Sequence, residues 1–390
     1  MTILFLTGGL EPGKDGVGDY TRRLAFECAR NRHDCLLIAL NDGNIEIPTE
    51  TTEVEDHIQL RTLRLPQKLS WPARIKLASV FRAPYSIDWI SLQFVCYSFH
   101  PKGFGFNLGK LLQPVVNGCP VHLMFHELWV GVGDERLSLK QRLVAGIQRQ
   151  GIRKLIREIQ PRCVTTSNSF YGTLLKNINV TAMILPLFGN IPFKNIPSEN
   201  TTNPKDFLSP ETASQLDASA GHFWVLFFGT LHPEWKPEPL FSHLISYSEK
   251  SGRRLSLLGA GRLGKTGELL WNDLQRTYAK GIDFFRLDER SAEDISALMQ
   301  MSDLGIATSP WHLIGKSGSA VAMLEHGLPV VVTRISIRPK KEELGDELLI
   351  PCDSNFESRL LSGLVRRPFH SRLPSIAQDF IHYLALSNKE

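Results

Sequence analysis

The chain has 390 residues, more than one hydrophobic core usually supports, and this length predicts two domains. Hydrophobic residues make up 42% of it and charged residues 22%, close to globular averages, so the disordered, collagenous and coiled-coil classes are excluded. The net charge of +4 is too small to predict nucleic-acid binding, and we expect no nucleic-acid partner.

The first elements indicate a cytoplasmic protein. The apolar run at 3–6 is far too short for a signal peptide or a membrane span, and we interpret it as the first strand. The six cysteines are scattered without the paired spacing of a zinc site or a disulfide framework, so we expect reduced thiols and no bound metal at these residues.

Short apolar runs then alternate with amphipathic stretches, a pattern typical of parallel strands joined by helices, and the predicted class is α/β. In the first half the predicted strands lie at 3–7, 36–40, 89–94, 121–125, 163–166 and 182–187. Their loops should carry the function, because open parallel sheets bind ligands beyond the carboxyl ends of their strands. This half is predicted to be a domain over 1–188.

A segment rich in Asn, Pro, Ser and Thr follows at 189–222, and we interpret it as a linker or insertion. The second half has predicted strands at 223–228, 255–258, 282–285, 304–307, 330–333 and 348–350. It is predicted to be a domain over 223–370. An amphipathic stretch at 371–390 is predicted to be a C-terminal helix that packs back on the first domain.

The loop after the first strand is rich in glycine and precedes a helix predicted to begin near Asp19. Glycine lets a backbone approach a ligand, and a helix start supplies N–H groups and a positive dipole end. A phosphate or a sugar could therefore bind at Gly16 and Gly18. The alternative is a flexible strand-to-helix connection capped by Asp19.

The sequence GAGRLGKT at 259–266 satisfies both the dinucleotide glycine pattern and the phosphate-loop pattern. Read literally, it predicts an NTPase that uses Lys265, with Asp288 as the metal-holding residue. However, Asp283 and Arg286 interrupt the apolar run before Asp288, and the loop follows only the second strand of its domain. We therefore favour an ordinary strand-to-helix turn facing the cleft.

Three segments between 255 and 333 carry a family resemblance. LSLLGAGRLG, IDFFRLDERSAEDISALMQMSDLGIATSP and GKSGSAVAMLEHGLPVVVT resemble, in order and spacing, the C-terminal domain of retaining GT-B glycosyltransferases, particularly family four. LMFHELWVG at 123–131 and FFGTLHPEWKPEPLF at 227–241 agree in order. The resemblance implies two Rossmann-like, doubly wound domains facing a cleft, with a nucleotide-sugar donor held mainly by the second domain and the acceptor by the first. It also implies that no metal or other cofactor is bound.

A short turn in the last segment is the best candidate for the donor phosphates. Ser317, Gly318 and Ser319 precede an apolar helical run at 320–325, where their backbone and hydroxyl donors and the helix dipole can meet phosphate oxygens. Lys316 adds a positive charge beside them. The alternative is that Ser317 and Gly318 only cap the helix.

The chain departs from the family in two respects, and both concern charged residues. Aligned on the GLP turn at 327–329, the two glutamates that family four usually carries correspond to Ile314 and Ala322, neither of which can hydrogen-bond through its side chain. Glu325 lies three residues further on; it could reach ribose hydroxyls instead, or it could be an exposed residue near the helix end.

The second departure lies at the start of the second domain, where Thr230 stands in the position of a pyrophosphate-binding arginine of the family. One cation is therefore missing. Lys236 and Lys316 are the paired candidates to supply the charge, with His232 as a weaker one. The alternative for the lysines is a solvated surface role.

His126 ends the predicted strand at 121–125, and the resemblance implies that it lies near the transferred sugar. It could hydrogen-bond a sugar hydroxyl or the leaving oxygen, or it could be a structural histidine. Asp19 is a candidate acceptor-side carboxylate. The predicted catalytic residues are thus His126, Lys236 and Asp19.

Residues 136–160 hold seven Lys and Arg residues and one acidic residue, Glu158. A basic amphipathic helix can lie on anionic lipid, at the inner face of a membrane, but Gly146 and Gly151 weaken a continuous helix, and the corresponding segment of the family is often a packed helix. Packing within the first domain is favoured over peripheral membrane contact.

The leading hypothesis is a glycosyltransferase, similar to hexosyltransferases, that moves a sugar from a nucleotide-diphosphate sugar to a glycan, lipid-linked or small-molecule acceptor, with retention. One alternative is a catalytically weak or inactive GT-B protein that binds nucleotide sugar or glycan. The phosphate-loop NTPase is the third.

Overall fold

A computed structural model gives the fold and describes residues 1–133, 137–195, 207, 221–232, 234–335 and 347–388. The chain forms two compact units. The first comprises Met1–Leu187 together with Leu373–Glu390, and the second comprises Phe188–Arg372.

The first unit is built on one sheet. Its described strands are β1 (Thr2–Thr7), β2 (Asp34–Asp42), β3 (Thr49–Glu55), β4 (Ile58–Pro66), β5 (Trp89–Phe94), β6 (Val121–Phe125), β7 (Cys163–Thr166) and β8 (Met183–Ile184). They lie in the order β3-β4-β2-β1-β5-β6-β7-β8. The pairs are parallel except for β3 with β4, which is antiparallel. The described helices of this part of the chain are α1 (Gly16–Arg30), α2 (Trp71–Arg82), α3 (Cys96–Phe99), α4 (Leu108–Val116), α5 (Leu139–Ile159) and α6 (Ser169–Lys176).

The antiparallel β3–β4 pair is a departure from the predicted strands, which omitted both. All side chains of β3 are at least partly exposed, because this strand forms the edge of the sheet. An edge strand needs no apolar run, so its sequence TETTEVE carries no signal of burial. By contrast, every residue of β5 is buried, as expected for a central parallel strand.

The second unit is built on a wholly parallel described sheet. Its strands are β9 (His222–Phe228), β10 (Arg254–Ala260), β11 (Asp283–Asp288), β12 (Leu304–Ala307), β13 (Val330–Val332) and β14 (Leu349–Pro351), in the order β11-β10-β9-β12-β13-β14. The described helices are α7 (Leu240–Ser251), α8 (Gly264–Tyr278), α9 (Ala292–Met301), α10 (Gly318–Glu325) and α11 (Phe356–Leu361), with a 3₁₀ helix at Trp311–Lys316. Aromatic side chains fill the core on one side of β9, where Phe227 packs edge-on against Trp235.

The last helix, α12 (Leu373–Ser387), belongs to the first unit. Its Phe380 is fully buried and packs against Phe5 of β1 and the ring of His122 of β6, with ring centroids 5.7 and 5.0 Å apart. Together the two units give the predicted α/β class with two parallel-sheet domains, and this prediction is confirmed.

Helix α5 runs without interruption from Leu139 to Ile159, so the expectation that glycines weaken it was wrong. Ser138 and Gln141 form a reciprocal capping box at its start. One face of α5 is buried in the first unit, as the favoured interpretation predicted, while Leu139 and Leu143 at its start are exposed. Nothing in these contacts supports the membrane alternative. Among the residues that the structure describes, no helix combines the length and the apolar character needed to cross a membrane.

Strand order places the candidate ligand edge in each unit. In the second sheet the chain moves outward from β9 to β10 and β11 and then returns to β12 on the other side of β9. In the first sheet, β1 and β5 are the corresponding neighbours. Ligands of open parallel sheets bind at the carboxyl ends of the strands where the order reverses. The candidate ligand-binding residues are therefore those that follow β9 and β12 and those that follow β1 and β5.

Candidate functional site

The glycine-rich loop after β1 folds onto its own acidic side chains. Helix α1 begins at Gly16, and its N-cap is Asp15, whose carboxylate accepts from the N–H groups of Val17 and Gly18. The prediction of a helix starting near Asp19 and capped by it was therefore wrong. Asp15 occupies the position that an anion would take at this helix start, so the structure offers no support for phosphate binding at Gly16 and Gly18.

Asp19 lies in the first turn of α1. Its carboxylate accepts from the backbone N–H of Gly13 at 3.1 Å and lies 3.3 Å from the guanidinium of Arg22. Burial raises the pKa of Asp19 above its ordinary value, although the Gly13 hydrogen bond and the charge of Arg22 act in the opposite direction. Asp19 therefore holds the loop, and an acceptor-side role for it stays a prediction.

At the carboxyl edge of the second sheet, Gly229 follows β9 with a φ of +87°, a backbone conformation that favours glycine. A methyl group added at Gly229 would lie 3.6 Å from Cβ of Ser319. Gly261, which follows β10 with a φ of +88°, lies against the backbone of Gly229. Two glycines and the first turn of α10 therefore meet at the point where the strand order reverses.

The predicted phosphate-binding turn is this first turn of α10. Ser317 is its N-cap, with Oγ 3.4 Å from the N–H of Ala320 and 3.2 Å from Oγ of Ser319. The first N–H groups of a helix have no partner within the helix, so those of Gly318 and Ser319 are geometrically available. Apart from Gly318 itself, its two chain neighbours and the backbone of its own helix, no heavy atom of the described residues lies within 4 Å of where a Gly318 side chain would begin. The turn is half-buried and has room beside it.

A buried arginine that no sequence pattern predicted is hydrogen-bonded to the start of the 3₁₀ helix that leads to this turn. Arg334 follows β13, which is the neighbour of β12, and is only 9% exposed. Its guanidinium donates to Nδ1 of His232 at 2.9 Å and forms an ion pair with Glu234 at 2.5 Å. Its carbonyl accepts from the N–H of Trp311, at the start of the 3₁₀ helix that leads to Ser317. The sequence could not show that Arg334 lies beside His232, because only the order of β9, β12 and β13 in the sheet brings the two residues together.

This arrangement corrects the idea that His232 could replace the missing cation. Nδ1 of His232 accepts from Arg334 and also from the N–H of Glu234, so this nitrogen carries a lone pair and not a proton. The backbone N–H of His232 donates to Oγ1 of Thr308, which follows β12. His232 therefore orients Arg334, and Arg334 carries the positive charge.

The two lysines predicted as paired cations differ in position. Lys236 is exposed, whereas Lys316 is half-buried at the end of the 3₁₀ helix, directly before Ser317. Thr230, at the family's arginine position, is exposed, and its hydroxyl donates to the carbonyl of Arg262 at 3.4 Å. Of the two lysines, only Lys316 is continuous in sequence with the candidate turn.

Glu325 is buried, so the alternative of an exposed glutamate was wrong. One carboxylate oxygen accepts from the N–H of Arg372 at 3.0 Å, and the other lies against Gly189. Glu325 is the last residue of α10, about 10 Å along the helix axis from Gly318. It therefore joins chain segments within the second unit and lies at the end of α10 opposite the Ser317 turn.

The two positions that correspond to family glutamates are also closed to solvent. Ile314 is 5% exposed and Ala322 is 1% exposed. A methyl group added at Gly189 would lie 2.9 Å from Cα of Ala322, so the backbone of Gly189 fills the space in which a longer side chain would lie. At Ala322, close packing against Gly189 thus takes up the space that the longer glutamate side chain of the family would need.

The phosphate-loop pattern forms a strand-to-helix turn. It connects β10 to α8, and the guanidinium of Arg286 donates to the carbonyls of Gly259 and Gly261, both at 2.9 Å. Arg286 lies within β11, so it does not interrupt this strand as the sequence analysis assumed. Lys265 is exposed. Through its two hydrogen bonds, Arg286 stabilises the turn between β10 and α8.

His126 follows β6, as predicted, and is 7% exposed. Its Nε2 lies 2.7 Å from Oε1 of Gln93, and its ring packs edge-on against Tyr20 at a centroid distance of 4.8 Å. Burial lowers the pKa of His126 to about 3, so the imidazole is neutral at pH 7. A neutral imidazole can exchange hydrogen bonds with a hydroxyl but supplies no charge to a phosphate.

Within the described ranges, no group of three or more His, Cys, Asp or Glu side chains is arranged to hold a metal ion. Among the described residues, the groups that can meet an anion at the edge of the second sheet include the N–H groups and hydroxyls of the α10 turn. Lys316 directly precedes this turn, and Arg334 follows β13.

No protein-family model matches the sequence. No curated protein matches it either. Several solved structures, however, resemble the chain over nearly its whole length. Sucrose-phosphate synthase from Thermosynechococcus elongatus matches with a TM-score of 0.56 and 14% identity, over 99% of this chain and 94% of that one.

Two further structures were solved with ligands. HepE from Anabaena, in complex with UDP and glucose, matches with a TM-score of 0.52 and 17% identity, over 99% of this chain and 92% of that one. The catalytic domain of starch synthase IV from Arabidopsis thaliana, bound to ADP and acarbose, matches with a TM-score of 0.56 and 11% identity, over 100% and 99% of the two chains. At these identities the likeness concerns the fold, and the fold of this chain is that of the GT-B glycosyltransferases.

Proposed function

We propose that the protein transfers a sugar from a nucleoside-diphosphate sugar to a hydroxyl group of an acceptor, with retention at the anomeric carbon. Two observations outside the sequence support the donor class. Solved structures of the same fold were obtained with UDP and glucose and with ADP and acarbose. In addition, the second unit has a helix start suited to phosphate at the reversal of its strand order. The family resemblance supports retention.

In this reaction the bond between the anomeric carbon and the β-phosphate oxygen breaks, and a bond from the same carbon to the acceptor oxygen forms. The electron pair stays on the leaving diphosphate, whose oxygen takes up the proton that the acceptor hydroxyl loses. Hydrogen-bond donors aimed at the leaving oxygen lower the barrier because negative charge grows there. The proposed donors are the N–H groups of Gly318 and Ser319, the hydroxyls of Ser317 and Ser319, and the guanidinium of Arg334.

The single observation on which this proposal depends is the closeness of Gly229 to Ser319, whose Cβ lies 3.6 Å from where a Gly229 side chain would begin. It places the Ser317-capped helix start at the carboxyl end of β9, where an open parallel sheet binds its ligand. Because protein groups of the correct charge are present at this edge, we propose that the transfer needs no metal or cofactor. Lys236 and His126 remain proposed participants, with His126 directed to a sugar hydroxyl.

The first experiment identifies the donor and tests the turn. Thermal-shift measurements against UDP-, GDP-, ADP- and dTDP-sugars should show one preferred base, because a ligand stabilises the folded state according to its affinity. We expect the double variant Ser317→Ala with Ser319→Ala to bind that donor at least roughly tenfold more weakly in calorimetry, since even one hydrogen bond to a charged phosphate contributes about 1.5–3 kcal/mol.

Two matched variants complete this test. Ser291→Ala removes a serine N-cap of the same kind from α9, where it accepts from the N–H of Asp294, and should leave donor binding unchanged. Lys265→Ala should also be neutral. If Lys265→Ala abolishes magnesium-dependent hydrolysis of ATP or GTP while the serine variants bind as the wild type does, the protein is an NTPase and the proposal is wrong.

A second candidate is a GT-B protein that binds nucleotide sugar with little or no transfer. The burial of Ile314 and Ala322 favours it, because neither family glutamate has a carboxylate in its place. Release of nucleoside diphosphate from the preferred donor separates the two functions. Sustained release with water or any acceptor supports the transferase, whereas tight binding without release supports the binding protein.

A further inference from the structure

A line of hydrogen-bonded polar side chains crosses the interior of the first unit. Strand register explains its course: Ser91 of β5 lies opposite His122 of β6, while Met124 of β6 lies opposite both Gln93 and Thr165. Side chains two residues apart on a strand point to the same face of a sheet. We name this set the buried polar chain. Its members are Met124, Thr165, His122, Ser91, Gln93 and His126.

All six side chains are buried, and the five distances that join them are short. Oγ1 of Thr165 lies 3.0 Å from Sδ of Met124 and 2.8 Å from Nε2 of His122. The other ring nitrogen of His122, Nδ1, lies 2.8 Å from Oγ of Ser91. Each hydroxyl in the chain therefore has two neighbours, and His122 uses both of its nitrogens.

The chain continues to the edge of the sheet through Gln93. The amide nitrogen of Gln93 lies 2.7 Å from Oγ of Ser91, and its carbonyl oxygen lies 2.7 Å from Nε2 of His126. Burial lowers the pKa of both histidines to about 3, so each ring is neutral and carries a single N–H. In such a chain, the nitrogen that carries the proton in one ring determines which nitrogen carries it in the other.

The acceptor at the inner end selects the direction of these bonds. A thioether sulfur has no proton to give, so the contact with Met124 is a hydrogen bond only if Thr165 donates to it. Thr165 must then accept the proton of His122 Nε2, which leaves a lone pair on Nδ1 of His122. Ser91 must donate to that lone pair.

The same direction continues to the outer end. Because Ser91 gives its proton to His122, it can only accept from the amide nitrogen of Gln93. The carbonyl oxygen of Gln93 then faces His126 and accepts the proton of Nε2. The remaining ring nitrogen of His126, Nδ1, therefore has a lone pair.

We propose that the buried polar chain holds the proton of His126 on Nε2 and presents Nδ1 as an acceptor for a hydroxyl group of a bound carbohydrate. This inference rests on the proposed function, which supplies the carbohydrate. A nitrogen that can only accept selects hydroxyl groups and cannot bind the oxygens of phosphate or carboxylate, which also lack protons at neutral pH. The five other members of the chain are positioning residues that act through His126.

Nuclear magnetic resonance of the full chain, labelled with ¹⁵N in its histidines, tests the inference directly. In the wild type we expect His126, assigned by comparison with His126→Asn, to carry its proton on Nε2. In Thr165→Val, which keeps the shape but removes the acceptor for His122, we expect the proton of His126 to move to Nδ1. The reason is that His122 would then donate to Ser91, and Ser91 would donate to Gln93. The amide of Gln93 would turn over, so that its oxygen faces Ser91 and its nitrogen donates to Nε2 of His126.

Thr166→Val is the matched control. Thr166 is the buried neighbour of Thr165 on β7, but its hydroxyl donates to the carbonyl of Phe125 and takes no part in the chain. Its substitution should leave the proton of His126 on Nε2. Met124→Leu, which removes only the sulfur, should produce both proton positions and serves if Thr165→Val does not fold. The inference would be overturned if His126 of the wild type carried its proton on Nδ1. It would also be overturned if the proton stayed on Nε2 in both Thr165→Val and Met124→Leu.

Binding measurements separate this inference from the proposed function. With UDP-glucose and UDP as probes, Thr165→Val should weaken the sugar nucleotide about 2- to 10-fold, the effect of one neutral hydrogen bond, and leave UDP unchanged. An equal loss for both probes would count against a role in sugar recognition. If the wild type binds no nucleotide sugar at all, the proposed function fails, while the proton position still decides whether the buried polar chain controls His126.

Discussion

Replacing Arg334 with methionine is expected to weaken the binding of the preferred nucleoside diphosphate about 10- to 100-fold. A hydrogen bond to a charged group contributes about 1.5–3 kcal/mol, and each 1.4 kcal/mol is a factor of ten in affinity. Arg334 is the buried cation at the edge of the second sheet, and His232 and Glu234 hold its guanidinium in one orientation. Isothermal calorimetry with UDP, GDP, ADP and dTDP measures the loss.

Controls distinguish loss of the cation from loss of structure. Glu234→Gln breaks the ion pair but retains the positive charge, so it should bind diphosphate at least as tightly as the wild type. The double variant Arg334→Met with Glu234→Gln leaves no carboxylate without its partner and should still bind weakly. Lys236→Ala, at the exposed lysine that the sequence singled out, should have the smaller effect. A larger loss from Lys236→Ala than from Arg334→Met would contradict this assignment.

The variant Gly327→Ala is expected to lower the free energy of unfolding by about 3 kcal/mol or more. Gly327 follows α10 with a φ of +68°, a conformation that costs other residues roughly 1–2 kcal/mol. A methyl group there would lie 1.7 Å from the carbonyl oxygen of Arg367, and relief of such overpacking costs about 1–3 kcal/mol more. Equilibrium unfolding in urea measures the change.

Gly252→Ala is the matched control for this variant. Gly252 ends α7 with a φ of +69°, but a methyl group there would meet no described atom within 4 Å. It should therefore show the conformational cost alone, roughly 1–2 kcal/mol. Equal losses at the two glycines would mean that the segment around Arg367 moves away without cost, and the packing argument would be wrong.

Much of the fold could be read from the sequence, because central parallel strands are buried on both faces and appear as short apolar runs. The bounds predicted for β5, β6, β7 and β12 coincide with those observed. The predicted strand at 182–187 is only Met183–Ile184. The edge strand β3 was missed because its residues face solvent and lose the apolar signal, and its neighbour β4 was missed because polar residues interrupt its apolar ones.

The candidate site was predictable in part. The turn at Ser317 was recognised because glycine and serine before an apolar helix are a local pattern, and its position depends on a few neighbouring residues. Burial of Glu325 was not predictable in this way, since its partners Gly189 and Arg372 are far away in sequence. The predicted start of α1 was three residues too late, because aspartate is a favourable N-cap residue at both Asp15 and Asp19 and the sequence does not distinguish them.

The sequence by itself determined the α/β class, the central strands and the helix start at Ser317 that we propose binds phosphate, all of which depend on residues close together along the chain. Only the tertiary structure decided which buried cation is held at this edge of the second sheet and how the proton of His126 is held. Arg334 meets His232 across 102 residues, and His122 meets Thr165 across 43. Such pairs depend on strand order and register, which no local pattern of residues specifies.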